Sequence, residues 1–281
     1  MAVAVGGYNA NFSLNSSIEV YSPNGKCNNN LLNNDFLEPN LRVAIIANSF
    51  IFCRTGTLCN KYNFYSSNWE QFTTSQYSHY ATPAKVYQNK LYIAENFNPE
   101  IYDPESGSWS NWEKPLNQTG THACSAIWRD TLLVFGGVYS NYCFEQYNFT
   151  RKSWTNLNYS PTLYDWPSCL VLPADQNKLL VTGSGGLVVS IYDLVKEEWE
   201  SAGTIKTLKV AGDLVALGKR VFFMGGRNAT SDTDKVEEFH LANKSWTIVD
   251  QKMGMAKRHF RAISIPAFLY QNEIENCTGV N

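Results

Sequence analysis

The side chains of this 281-residue chain that could do chemistry are few and scattered. Of its four histidines, three (His79, His122 and His259) stand just ahead of apolar runs that read as strands. Imidazoles from separate structural units could converge on a metal ion. A ligand set, however, needs carboxylates or thiolates in company, and none is spaced beside these three. They are read as strand-entry residues that cap turns, with no metal and no cofactor expected. Eight arginines occur, with Arg42 and Arg258 near strand entries, but nothing selects three of them as an anion-binding triad. No phosphate-cradling glycine loop, His-Glu-x-x-His, nucleophile elbow or zinc-type cysteine pair is present. The "GSGG" at 183–186 is not followed by a helix. No catalytic residue is expected.

The elements that must position these residues are short β-branched and aromatic runs bounded by Gly, Asn, Ser and Asp, with almost no helical periodicity. A longer period appears on alignment by tryptophan. An aromatic precedes a Trp by seven residues five times: Tyr62 and Trp69, Tyr102 and Trp109, Tyr147 and Trp154, Tyr192 and Trp199, Phe239 and Trp246. Successive Trp residues are 40, 45, 45 and 47 positions apart. Apolar runs end in paired glycines at Gly6-Gly7, Gly136-Gly137 and Gly225-Gly226, where the backbone can turn with positive φ. A glutamate two residues before the aromatic recurs as Glu19, Glu100, Glu145 and Glu237. Each unit reads as a four-stranded antiparallel meander. One meander cannot bury both faces, so the units must stack in a ring.

Diglycine, Glu-x-Tyr and Trp at these spacings resemble Kelch repeats, over roughly residues 2 to 270. The pattern decays at "IFCRTG", "YIAEN" and "VTGSGG". Five full units fill about 41–254. The front piece (about 1–40) begins at a second strand, and the back piece (about 258–270) reads as a lone first strand. Joining them gives an all-β, six-bladed propeller in a single domain over 1–281, closed by the C-terminal strand.

Charge and composition narrow the function. The 25 acidic and 23 basic residues give a net charge of −2, which offers no field for nucleic acid. No run of eighteen apolar residues occurs, so membrane insertion is not expected. Among seven cysteines, Cys53 and Cys59 flank a hairpin loop and are expected to pair. Cys27 and Cys277 fall at one end of the first blade and could lock the ring; Cys124, Cys143 and Cys169 are left, of which two could pair. Eight Asn-x-Ser/Thr sequons also favour a secreted or extracellular glycoprotein. The opening "MAVAVGGYNANF" lacks a basic leader, which keeps a cytoplasmic location as the alternative.

The resemblance implies a non-catalytic module, monomeric, that binds a protein or glycoprotein through loops at one face. Loop position alone nominates Tyr8, Asn9, Arg54, Asn96, Phe97, Tyr139, Tyr142, Tyr164, Asp165, Trp166 and Arg227. One alternative is an intracellular Kelch adaptor, of the ubiquitin-ligase or cytoskeletal type. Another is a propeller enzyme of the oxidase, sialidase or sugar-epimerase type. Copper radical oxidases of the Kelch superfamily use two Tyr, two His and a Cys cross-linked to Tyr, a set that does not map onto this sequence.

Overall fold

The computed structural model describes residues 2–265, apart from 10–12, 15–16, 24–29, 34–36, 80, 82–83, 95–96, 117–121, 138–142, 163, 185–187, 208–209 and 229. Every regular element among the described residues is a strand. No helix is long and apolar enough to cross a membrane. Six four-stranded antiparallel sheets form the six blades of a β-propeller.

Blade 2 comprises Arg42–Ile46, Ser49–Cys53, Cys59–Asn63 and Asn68–Gln71; blade 3 comprises Ala84–Tyr87, Lys90–Ile93, Glu100–Asp103 and Ser108–Asn111. Blade 4 comprises Cys124–Trp128, Thr131–Phe135, Phe144–Asn148 and Ser153–Asn156. Blade 5 comprises Asp165–Leu172, Asp175–Ser184, Val188–Asp193 and Glu198–Thr204. Blade 6 comprises Asp213–Leu217, Arg220–Met224, Val236–His240 and Ser245–Val249. Blade 1 takes Arg261–Ser264 as its first strand and adds Ala2–Val5, Ser17–Tyr21 and Asn30–Asn33. Ala2 faces Ser264 and Val5 faces Arg261, so the last strand closes the ring as the leftover pieces require.

The seven-residue Tyr–Trp interval has a simple cause. A hairpin joins the third and fourth strands, and in all five repeats the aromatic and the Trp are direct cross-strand partners. Such pairs stabilise a sheet through ring packing. Four of the tryptophans also reach out of their own blade. The indole N–H groups of Trp109, Trp154, Trp199 and Trp246 donate to the carbonyls of Thr73, Glu113, Asn158 and Ala202, at the end of the preceding blade. Each of these residues therefore packs a sheet and ties it to its neighbour. The glycine pairs serve close approach: Gly225 has φ +56°, and a Cβ there would lie 2.7 Å from the Phe260 ring.

The Cys53–Cys59 disulfide forms between cross-strand partners, with Cα atoms 4.1 Å apart. Cys124 and Cys169 form a second bridge, 5.7 Å between Cα atoms, which joins the first strands of blades 4 and 5. Cys143 takes part in neither bridge. Cys27 and Cys277 lie outside the described residues.

Two predictions follow from this construction. Trp246 is buried and fills the contact between blades 5 and 6. Trp246→Ala should cost about 3–5 kcal/mol in urea unfolding, and Trp246→Phe, which loses chiefly the indole hydrogen bond, about 1 kcal/mol. The 45-residue separation of Cys124 and Cys169 exceeds the 6-residue separation of Cys53 and Cys59. By chain entropy, the double Ser variant of the long bridge should lose about 4 kcal/mol and that of the short one about 2 kcal/mol. Equal losses would show that loop closure is not what these bridges contribute.

Candidate functional site

In an up-and-down blade the first strand begins, and the second ends, at the same end of the propeller. The linkers between blades cross there, so loops from all six blades surround one mouth of the central channel. The residue just before or at each first strand has a left-handed backbone: Asn40 (φ 60°), Ala81 (49°), His122 (64°), Trp166 (47°), Ala211 (56°) and His259 (53°). These positions also bond to one another around the axis. Asn40 N–H donates to His259 O, His122 N–H to Ala81 O, and His259 N–H to Ala211 O, at 2.9–3.1 Å.

A left-handed conformation costs roughly 1–2 kcal/mol for a residue with a side chain, less for Asn or His. Because it recurs in every blade, the conformation belongs to the scaffold. The choice of side chain at each position does not. Three of the six carry large rings, and these three converge. The His122 and His259 ring centroids are 6.0 Å apart, and Trp166 lies 5.5 Å from His122 and 4.8 Å from His259, edge-on to both. His122 belongs to blade 4 and His259 to blade 1, which stand opposite each other in a six-membered ring. They therefore meet across the axis.

Tyr8, just past Gly6-Gly7, completes the cluster. Its ring is perpendicular to that of His259, with centroids 6.1 Å apart, and the Arg258 guanidinium sits over it at 5.5 Å. Arg258 is held by a buried ion pair with Asp232 at 2.5 Å. A small pocket of about 20 Å³ lies between the rings, lined by Asn40, His122, Trp166, Ala211, His259 and Arg261 among others. That is room for one water or one ion. The Trp166 indole N–H is buried beside it with no hydrogen-bond partner.

Electrostatics set the state of the two imidazoles. Burial pushes His122 down to about 4, with help from the Arg261 charge. Burial likewise takes His259 down to about 4, assisted by His122, Arg258 and Arg261. Both rings are neutral at physiological pH, each with a nitrogen lone pair able to hold a metal or accept a proton. The other two histidines are committed elsewhere. His79 is fully buried, with Nε2 2.5 Å from Glu100 Oε2, and His240 Nε2 lies 2.8 Å from Thr247 Oγ1 on the exterior. His122 and His259 stand at strand entries, as expected from the sequence, and their rings come together at one site.

The loop residues nominated from sequence divide into several groups. Tyr8 and Trp166 are in the mouth. Asn9 accepts a hydrogen bond from Ser13 N–H, Arg54 pairs with Glu38 at 3.7 Å, and Arg227 bridges the backbone of Val210 and Asp232. Phe97 is exposed and stands apart. Asp165 opens the first strand of blade 5. Tyr164 is corrected: it is not a surface aromatic but is 1% exposed, packs with Phe135 between blades 4 and 5, and donates its hydroxyl to Ser190 at 2.6 Å. Asn96, Tyr139 and Tyr142 lie outside the described residues.

No protein-family model matches the chain, and no curated protein matches it. Among solved structures it is similar to a fungal alcohol oxidase of the AA5 family in complex with copper, at 15% identity and a TM-score of 0.65. The likeness covers 91% of this chain and 63% of the oxidase chain, so the protein spans under two thirds of that enzyme. At this identity the likeness establishes the shared propeller fold. It also overturns the expectation of a non-catalytic binding module that is not an enzyme, because this propeller matches one that serves an oxidase.

The depressed histidines predict a pH dependence. Between pH 6.5 and about 4 the unfolded chain binds protons at both imidazoles while the folded chain does not. Stability must therefore fall as pH drops through that window, and be unaffected by these groups above it. Comparing melting temperatures from pH 7.5 to 4, the wild type should lose more than a His122→Gln, His259→Gln double variant. Parallel curves would show that the rings are protonated in the folded state.

Proposed function

We propose that the chain is the propeller of an oxidoreductase of the copper-oxidase kind, with the channel mouth as its reaction site. The observation that carries this reading is the meeting of two neutral imidazoles, His122 and His259, across the axis. Their donor chemistry fits copper, for which neutral imidazole is a preferred ligand. Among the described residues no group of three or more His, Cys, Asp or Glu could hold a metal, so within that set a further donor would be of another residue type. The Tyr8 phenol, beside His259, is the ring placed to supply one. A copper ion there would supply one-electron redox chemistry toward an alcohol.

The chain's own contribution is positional. The rigid ring of linkers holds both imidazoles, Trp166 walls the pocket and keeps bulk water from it, and Arg258, anchored by Asp232, orients the Tyr8 ring. We also read the blades as Kelch repeats, supported by the paired Tyr–Trp registers and the positive-φ diglycines. A secreted location is supported by the two disulfides, which persist in oxidising compartments.

The test is titration of the purified protein with Cu(II), followed by calorimetry and electron paramagnetic resonance, with peroxide release measured over a panel of primary alcohols. One equivalent should bind with nitrogen hyperfine structure from two imidazoles. His122→Gln and His259→Gln should each weaken binding by at least tenfold and abolish peroxide release. Binding that survives both substitutions, or no stoichiometric binding in the wild type, would end this reading.

A further inference from the structure

Directly below the mouth, the six first strands enclose a channel cavity of about 90 Å³. Its wall carries three cationic residues, Arg42, Lys85 and Arg261, and one carboxylate, Asp213. The carboxylate is already engaged. Asp213 Oδ1 accepts from Ser168 Oγ at 2.5 Å and Leu214 N–H at 3.1 Å, while Oδ2 accepts from Ala262 N–H at 2.8 Å. It thereby joins blades 5, 6 and 1 and has little left to offer a cation. The Arg42 guanidinium donates to the backbone carbonyls of His79, Arg54 and Gly56.

Lys85 and Arg261 differ from Arg42 in having no ion pair or side-chain hydrogen bond with any described residue. Burial holds the Lys85 ammonium below its ordinary range; the Asp213 charge opposes that shift and the Arg261 charge adds to it. A second observation is independent of charge. Ser125 lines the same cavity, is 3% exposed, and its hydroxyl has no partner. A buried hydroxyl without a partner costs free energy, and so do like charges facing each other in a low dielectric. One occupant relieves both: an anion that takes charge-assisted hydrogen bonds from Lys85 and Arg261 and a further one from Ser125.

We infer that the upper channel is a binding site for a small oxyanion, a carboxylate or an inorganic oxyanion, held by Lys85, Arg261 and Ser125. The volume admits a group of that size and excludes an extended ligand. The cavity adjoins the mouth pocket, with which it shares Arg261. The inference is independent of any metal at the mouth and is tested in the presence of a chelator, so either reading can fail alone.

The experiment titrates acetate and, separately, sulfate into the full chain at constant ionic strength while the melting temperature is followed. In parallel, crystals are soaked in bromide for anomalous scattering. A saturable rise with acetate alone identifies a carboxylate site, and one with sulfate alone an inorganic oxyanion site. Lys85→Met should raise the half-saturating concentration at least tenfold, Ser125→Ala by a smaller factor, and bromide should appear between Lys85 and Arg261. A rise that never saturates, or one unchanged in Lys85→Met, would overturn the site. If that variant does not fold, the wild-type crystals decide, and a cavity without bromide overturns it.

Discussion

The structure depends on a buried carboxylate accepting the backbone N–H groups of a linker. The glutamate of the third strand lies inside the ring, and its oxygens face the segment arriving from the blade before. Glu100 accepts from Gln76 and Tyr77, Glu145 from Leu116, and Glu237 from Lys206 and Thr207. Glu19 accepts from Gly254 and pairs with the buried Lys257 at 3.2 Å. A crossing linker has no strand partner, so its donors would otherwise be buried without acceptors, and a charged acceptor satisfies two at once. In blade 5 the position is Ser190, and the linker offers Tyr164 hydroxyl in place of a backbone N–H. The side chains have changed but the tether between blades remains.

Fixing the linkers fixes the mouth. Each linker ends in a residue with positive φ, and the six such residues stand around the axis like the teeth of one gear. Glycine or asparagine would suit every one of them at lower cost. The chain keeps asparagine at one, alanine at two, and histidine or tryptophan at three. At His122, Trp166 and His259 the ring therefore carries strain that a smaller residue would relieve. The same rigidity explains how rings from opposite blades can be held 6.0 Å apart without a bond between them.

Most of the architecture was legible in the sequence. Register is an exact count of residues, so the Tyr147–Trp154 spacing translated directly into a cross-strand pair, and the orphan ends at Val5 and Arg261 into a shared sheet. The site was only half legible. His122 and His259 could be placed at strand entries, but a one-dimensional reading assigned them to blades that looked remote. It took the diameter of the channel, which no local pattern encodes, to bring them together. Tyr164 misled for the opposite reason. Its Pro-bounded surroundings resemble a surface loop, whereas blade 5 lacks the usual glutamate and needs that aromatic inside. The charged channel wall was invisible because Lys85, Asp213 and Arg261 lie on first strands far apart in sequence, which only closure of the ring brings together. The function was misjudged because a repeat reports how a ring is built and says nothing of what stands at its centre.

The closing strand has a consequence for the order of events during synthesis. Ala2–Val5 leaves the ribosome well before its partner Arg261–Ser264, which is made about 260 residues later. Throughout that interval a fully apolar strand has one open edge, able to pair with any passing chain. Contacts so distant in sequence form slowly, since a very long loop must close before they gain anything. Blades 2 to 6 can each mature as they appear, from local hairpins. The edge of Ala2–Val5 therefore has to stay shielded until Arg261–Ser264 arrives to cover it.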